Sequence, residues 1–295
     1  MIWRGEISRY VHSPHASWPP DRPLQARKLE EHLVRQCATR EVTRTDIVQR
    51  FSDVAQRRIH AGARTLFLIN CGSSGSHWVE AMLAALPGVH ACGEVYVPPQ
   101  IAGELATLDQ GDRACFLDVL HQVHVEPAAN IGEDDVLINS AHSWNPHDLM
   151  GGLAIAILLV RDPIDIVASR TFRKPKFRRH VEPAADDDEY LERNTAMVEK
   201  FYRSALRRRA EHVVRYEDIR DRPVEALARM AALIGRAAPS GVLEAIVARY
   251  SAQGQLAGDQ RLSNVFRGAR TAIPASLLDR AVERLGSLRT DLGYG

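Results

Sequence analysis

The segment TLFLINCGSSGSHWVEAML, residues 65–83, places an apolar run before a Gly/Ser loop and a helix-like pattern. A strand that ends in a tight turn at a helix N-terminus brings free backbone N–H groups and the positive end of the helix dipole to one point, which suits an anion. Gly72 and Gly75 permit the backbone angles and close approach of a phosphate cradle. Ser73, Ser74 and Ser76 add hydroxyl donors. The loop has no Lys or Arg, and G-x-x-x-x-G-K-[ST] is absent, which disfavours ATP or GTP hydrolysis. A plain strand-to-helix turn reads the same way, so the loop alone leaves the two open.

A second cluster, LLVRDPIDIVAS, sets Arg161 at a strand end and Ser169 eight residues on. The rise is roughly 12 Å at about 1.5 Å per residue, so a long Arg side chain and a hydroxyl can share one anion. The alternative is a capped helix whose Arg is tied to Asp162 or Asp165.

These residues need a scaffold. RTLFLIN, DVLIN and AIAILLV are near-continuous apolar runs, as parallel strands buried on both faces should be, and HVVRY is a further strand. Between them lie helical patterns: one from Ser76 to before Pro87, two short ones over 101–108 and 113–123, and one opened by Asp162 as cap with Pro163 at its first position. A long charged helix runs to about Arg209, followed by PVEALARMAALIG, GVLEAIVARY and PASLLDRAVERLG. Residues 24–60 read as two amphipathic helices, the second capped by Thr45 or Asp46. Residues 1–22, rich in Pro and His, show no period and are expected to wrap the surface. Strands alternating with helices predict an α/β fold, a central parallel sheet with helices on both faces.

Composition narrows the function classes. The 295 residues carry 38 Lys and Arg against 37 Asp and Glu, a net charge of +1, which argues against a general nucleic-acid binder. Four cysteines lack the spacing of a zinc site or disulfide framework and fit a reducing compartment. The start has no signal-peptide pattern, and LAIAILLV is far short of the roughly 20 residues of a membrane span. A soluble cytoplasmic protein is expected. His90, Cys92 and Glu94, or His121, His124 and Glu126, form no complete metal-ligand set.

Taken in order, CGSSGSHW, LVRDPIDIVAS and VVRYEDIRDRPVEALARMAALIG resemble segments of the sulfotransferase family that uses 3′-phosphoadenosine 5′-phosphosulfate, and VFRGARTAIP resembles its C-terminal loop. The resemblance implies the P-loop-like sulfotransferase fold over residues 63–295, with residues 1–62 as an N-terminal helical extension. It implies that Gly75, Ser76 and His77, with Ser73 and Ser74 in the same loop, hold the 5′-phosphosulfate. Trp78 would stack on the adenine through an exposed indole face, and Tyr216 would approach it. Arg161 and Ser169 would take the 3′-phosphate with Arg267 and Gly268. The donor would be 3′-phosphoadenosine 5′-phosphosulfate, with no metal, and the acceptor a hydroxyl of a small molecule or glycan. A homodimer is compatible with this.

One departure stands out: where the family has a basic residue, this chain has Ser73. His77, or Arg173, Lys174 or Lys176 from the polar loop over 174–188, are the replacements in view, and slow or lost transfer is the third outcome. For the base that takes the acceptor proton, the resemblance offers His142, in LINSAHSWNP, and Glu94, in HACGEVYVPP. A nucleotide-dependent phosphotransferase and a non-catalytic nucleotide-binding scaffold are the rival readings.

Overall fold

A computed structural model describes residues 2–12, 23–172, 186–251 and 275–295. Five strands, β1 (Thr65–Asn70), β2 (Val89–Gly93), β3 (Val136–Ala141), β4 (Ala154–Val160) and β5 (His212–Arg215), form one sheet in the order β2-β3-β1-β4-β5. The pairs β1–β3, β2–β3 and β4–β5 are parallel. Every residue of β1 and β3 is buried, so helices cover both faces, as apolar runs without alternation require. The expected α/β architecture is therefore the one observed. β2 escaped the sequence reading because VHACG is short and its middle is only half-buried.

The residues group into two compact units. The first comprises Met1–Ile69, Glu80–Ala156 and Arg229–Ala238. It holds α1 (Ile2–His12), α2 (Pro23–Arg40), α3 (Arg44–His60), α5 (Pro99–Leu105), α6 (Gln110–His124) and α7 (Asn145–Met150). The second comprises Asn70–Val79, Ile157–Ala228 and Pro239–Gly295. Within it lie α8 (Pro163–Phe172), α9 (Asp187–Arg208), α10 (Tyr216–Asp221), α12 (Ser240–Arg249) and α13 (Ala275–Asp291). Two helices have residues in both units, α4 (Ser76–Leu83) and α11 (Pro223–Leu233).

Helix α1 corrects the expectation that residues 1–22 lack a period. Trp3, Ile7, Tyr10 and Val11 are all buried, at the i, i+4, i+7, i+8 spacing of one helix face, and α1 packs on α6 and α3. The Pro- and His-rich residues after it hid that stripe; residues 13–22 lie outside the described residues. The cap of α3 is also corrected. Thr43 accepts from the Asp46 N–H at 3.2 Å and the Asp46 carboxylate accepts from the Thr43 N–H at 3.0 Å, a reciprocal capping box.

Inside the first unit a buried polar chain runs from the helices to the sheet. Arg58 on α3 donates through Nε to Asp118 on α6 at 3.1 Å, both side chains fully enclosed, and through Nη1 to the Gly132 and Asp135 carbonyls at 2.8 Å. One turn along α6, His121 accepts at Nε2 from the Asn139 amide of β3 at 2.9 Å, reading the neutral tautomer from that donor. Burial, reinforced by the charges of His124 and Arg58, lowers the His121 pKa to about 3. The free imidazole value is about 6.5, so the unfolded chain takes the proton first as pH falls. His121 thus contributes stability that is complete above about pH 6.5 and is lost progressively toward pH 3. Urea midpoints measured at pH 7 and pH 5 should fall, and His121→Gln should remove part of that difference; an unaltered slope would overturn the assignment.

Candidate active site

The Gly–Ser loop takes its shape from local rules. The Asn70 side chain accepts from the Gly72 N–H at 2.9 Å and turns the chain off β1. Gly72, Ser73 and Gly75 have φ of 74°, 57° and 86°, a run of left-handed residues that curls backbone N–H groups into the concave form anions occupy. Ser73 pays a conformational penalty of roughly 1–2 kcal/mol there, the kind of local strain that surrounding contacts must hold in place. Its carbonyl accepts from Arg161 Nη1 at 2.9 Å, while its Oγ is buried with no hydrogen-bond partner among the described residues.

Arg161 is fixed from behind. Its N–H donates to the Tyr202 hydroxyl at 3.1 Å, and that hydroxyl lies 3.3 Å from its carbonyl. The guanidinium stacks over the Tyr216 ring at 4.3 Å. Only 7 % exposed, it has an Nε with no hydrogen-bond partner among the described residues. The sequence left open a tie to Asp165 or Asp162. The Asp162 carboxylate instead accepts from the Ile164 N–H at 2.9 Å, capping α8 as expected, and from both Nε and Nη2 of Arg289 at 3.2 and 3.0 Å. Arg161 is therefore a buried cation that donates to the loop and, among the described residues, pairs with no carboxylate. Ser169, on the same α8, is buried at 7 % exposure.

Tyr216 lies directly beside the loop: a Cβ placed on Gly75 would sit 2.7 Å from its Cδ2. Its neighbour Glu217 accepts from the Asp162 N–H at 3.3 Å and from the Tyr294 hydroxyl at 2.7 Å, so the C-terminal turn braces the segment that holds Arg161. Trp78 departs from expectation. The indole is 3 % exposed, edge-on to Tyr216 with centroids 6.2 Å apart, and its Nε1–H donates to the Tyr250 carbonyl at 2.9 Å. The indole expected to be exposed for stacking is enclosed, with its N–H tied to the residue that follows α12. Arg267, Gly268, Arg173, Lys174 and Lys176 lie outside the described residues.

In the first unit the structure brings the two base candidates together. His142 follows β3 and Glu94 follows its parallel neighbour β2, so both emerge from the same ends of adjacent strands. His142 Nε2 is 3.3 Å from Glu94 Oε1, with both side chains a little under half exposed. The peptide carrying Glu94 is pinned on either side. The Gly93 N–H donates to Glu80 at 2.7 Å, and the Val95 N–H donates to the Asn139 side chain at 3.3 Å. Asn139 is the residue that His121 holds from α6, so the core polar chain ends at the candidate base. Glu80 and Asn139 were not legible in the sequence, where each is a lone polar residue in an apolar pattern.

A family model described as Sulfotransferase domain matches residues 64–255. The chain belongs to the sulfotransferase domain family. Among solved structures it is similar to mouse sulfotransferase SULT7A1 complexed with PAP, at 13 % identity over 79 % of this chain and 89 % of that one, with a TM-score of 0.50. It is also similar to the sulfotransferase domain of the Synechococcus PCC 7002 olefin synthase, at 18 % identity, 77 % and 94 % coverage and a TM-score of 0.43. A third is sulfotransferase STF1 from Mycobacterium tuberculosis H37Rv, at 11 % identity, 96 % and 92 % coverage and a TM-score of 0.44. No curated protein matches the chain in sequence.

Membership of this sulfotransferase family makes the loop and Arg161 a test of fit to an anionic nucleotide donor. The residues fit: a buried cation with no carboxylate and an enclosed hydroxyl with no hydrogen-bond partner among the described residues, beside a curled backbone, suit an anion. The family's expected basic residue is still missing at Ser73, and His77 is exposed on the first turn of α4. Among the described residues no group of His, Cys, Asp or Glu is arranged to hold a metal ion, and no helix is long and apolar enough to cross a membrane.

Proposed function

We propose that this sulfotransferase-family enzyme moves a sulfuryl group from 3′-phosphoadenosine 5′-phosphosulfate to a hydroxyl of a small molecule or glycan. The observation that carries the reading is Arg161, buried, donating to the Ser73 carbonyl and with no carboxylate partner among the described residues. In this reading the loop from Ser73 to His77 holds the 5′-phosphosulfate, Arg161 and Ser169 hold the 3′-phosphate, with Arg267 and Gly268 in support, and Tyr216 borders the adenine with Trp78 behind it. The acceptor oxygen bonds to sulfur as the bond from sulfur to the 5′-phosphate oxygen breaks. The products are a sulfate ester and adenosine 3′,5′-bisphosphate.

The hydroxyl proton leaves to the His142–Glu94 pair. A carboxylate on Nε2–H orients an imidazole so that its other nitrogen takes a proton, and it stabilises the imidazolium that results. A cytoplasmic setting belongs to the same reading, supported by four cysteines without disulfides. So does a catalytic domain over residues 63–295, supported by a family match that begins at residue 64.

Thermal unfolding with adenosine 3′,5′-bisphosphate, 5′-AMP and ATP tests the proposal. At 100 times its dissociation constant the bisphosphate should stabilise the native state by about 2.7 kcal/mol, and at equal concentration it should exceed the other two. Equal shifts would mean a generic nucleotide site, and no shift with the bisphosphate would overturn the reading.

A further inference from the structure

The loop has no Lys or Arg of its own, yet among the described residues two guanidiniums donate to its carbonyls. Arg161 reaches Ser73. Arg170, on α8 directly after Ser169, donates from Nη1 to the Cys71 carbonyl at 3.3 Å. Its Nε donates to Asn194 Oδ1 at 3.2 Å, and the buried Asn194 amide donates to Thr171 Oγ1 at 3.1 Å. Helices α8 and α9 therefore hold the guanidinium in one orientation.

Two features separate Arg170 from a surface arginine. It is half-buried, where charges are screened less by salt. Its protein partners are also neutral: a carbonyl and an amide oxygen accept from it, and among the described residues no carboxylate is within ion-pairing distance. Neutral acceptors orient a guanidinium but leave its charge uncompensated, and Nη2 keeps donors that neither bond uses. A planar fork set rigidly against an anion cradle is a suitable binder of an oxyanion.

We propose that Arg170 binds the 5′-side oxyanion of the donor nucleotide and supplies the positive charge absent at Ser73. This rests on the nucleotide reading above, and it assigns the cation to a helix that the sequence reading credited only with Ser169. Arg161 and Arg170 then bracket the loop, one at the Ser73 carbonyl and one at the Cys71 carbonyl.

Calorimetric titration of the full chain with adenosine 3′,5′-bisphosphate, 5′-AMP and 3′-AMP separates the possibilities. Arg170→Gln should weaken the bisphosphate and 5′-AMP by about 10- to 100-fold, the range expected for a lost charged hydrogen bond, and leave 3′-AMP within about twofold. Arg170→Lys should recover part of the loss. Ser169→Ala should show the opposite selectivity, weakening the bisphosphate and 3′-AMP. The melting temperature without nucleotide is measured alongside. A purely structural role would lower it and weaken all three nucleotides alike, which would overturn the proposal. So would wild-type binding of 5′-AMP by Arg170→Gln. Failure of the wild-type chain to bind the bisphosphate would instead remove the nucleotide reading itself, and this inference with it.

Discussion

Replacing His142 by Ala should lower kcat by about 10²- to 10⁴-fold, the usual contribution of a positioned base, while binding of adenosine 3′,5′-bisphosphate stays within about twofold. The selectivity follows from placement: His142 and Glu94 belong to the strand-end segments of the first unit, while the loop and Arg161 belong to the second. Glu94→Gln should lower kcat as well, because Nε2 of His142 loses a charged partner at 3.3 Å. If the two act as a unit, the double variant is no slower than the more damaged single variant, since each change already removes the same function. Additive losses would mean that they act separately. A silent Glu94→Gln would make His142 the base without assistance, and a silent His142→Ala would transfer the role to Glu94. The profile of kcat against pH adds an independent readout: the limb that reports the base should move or vanish in whichever variant removes it.

Gly75→Ala should be among the most damaging single-methyl changes in the chain. Gly75 has φ of 86°, and an added Cβ would lie 2.7 Å from Tyr216 Cδ2 and 3.0 Å from Cε2. The left-handed backbone costs an L-residue about 1–2 kcal/mol, and overpacking against a fixed ring costs typically 1–3 kcal/mol more. Tyr216 cannot yield easily, because Arg161 lies over its ring and Trp78 meets it edge-on. A loss of roughly 2–5 kcal/mol in urea unfolding is expected. Tyr216→Ala removes the clash but not the backbone strain, so Gly75→Ala should cost less in that background. The double-mutant cycle reads the difference as a coupling energy, and zero coupling would show that the contact is not what Gly75 avoids. Tyr202→Phe offers a contrast, since it removes the hydroxyl at the Arg161 backbone without adding volume.

Much of this protein is legible without coordinates, and the legible parts are those governed by neighbours in the chain. The runs TLFLIN and AIAILLV read as buried parallel strands because both faces of each are apolar, and they are strands. Asp162 and Pro163 start α8 because a cap and a fixed φ act within one turn. Gly72 and Gly75 read as turn residues, and both have positive φ. Failures of the reading also have local causes. The stripe of Trp3, Ile7, Tyr10 and Val11 is short and abuts Pro- and His-rich sequence, and β2 is too brief for a period to show. In α3, the Thr43 cap lies two residues before Thr45, where the periodic pattern begins.

What decides the site is long-range. The bonds from Arg161 to Ser73 and from Arg170 to Cys71 join residues 88 and 99 positions apart, and nothing in a single sequence pairs them. Sheet order makes β2 and β3 parallel neighbours, which is why two alternative bases in the sequence become one His142–Glu94 pair. The same folding buries Trp78 against Tyr216 and Tyr250, where amphipathic pattern alone allowed an exposed ring. The sequence by itself determined the strand–loop–helix, its missing charge and the family resemblance, because backbone angles and periodicity are set within a few residues. Only the tertiary structure decided which cations meet the loop and which histidine pairs with which carboxylate, because those contacts depend on how distant segments are stacked rather than on what each segment prefers.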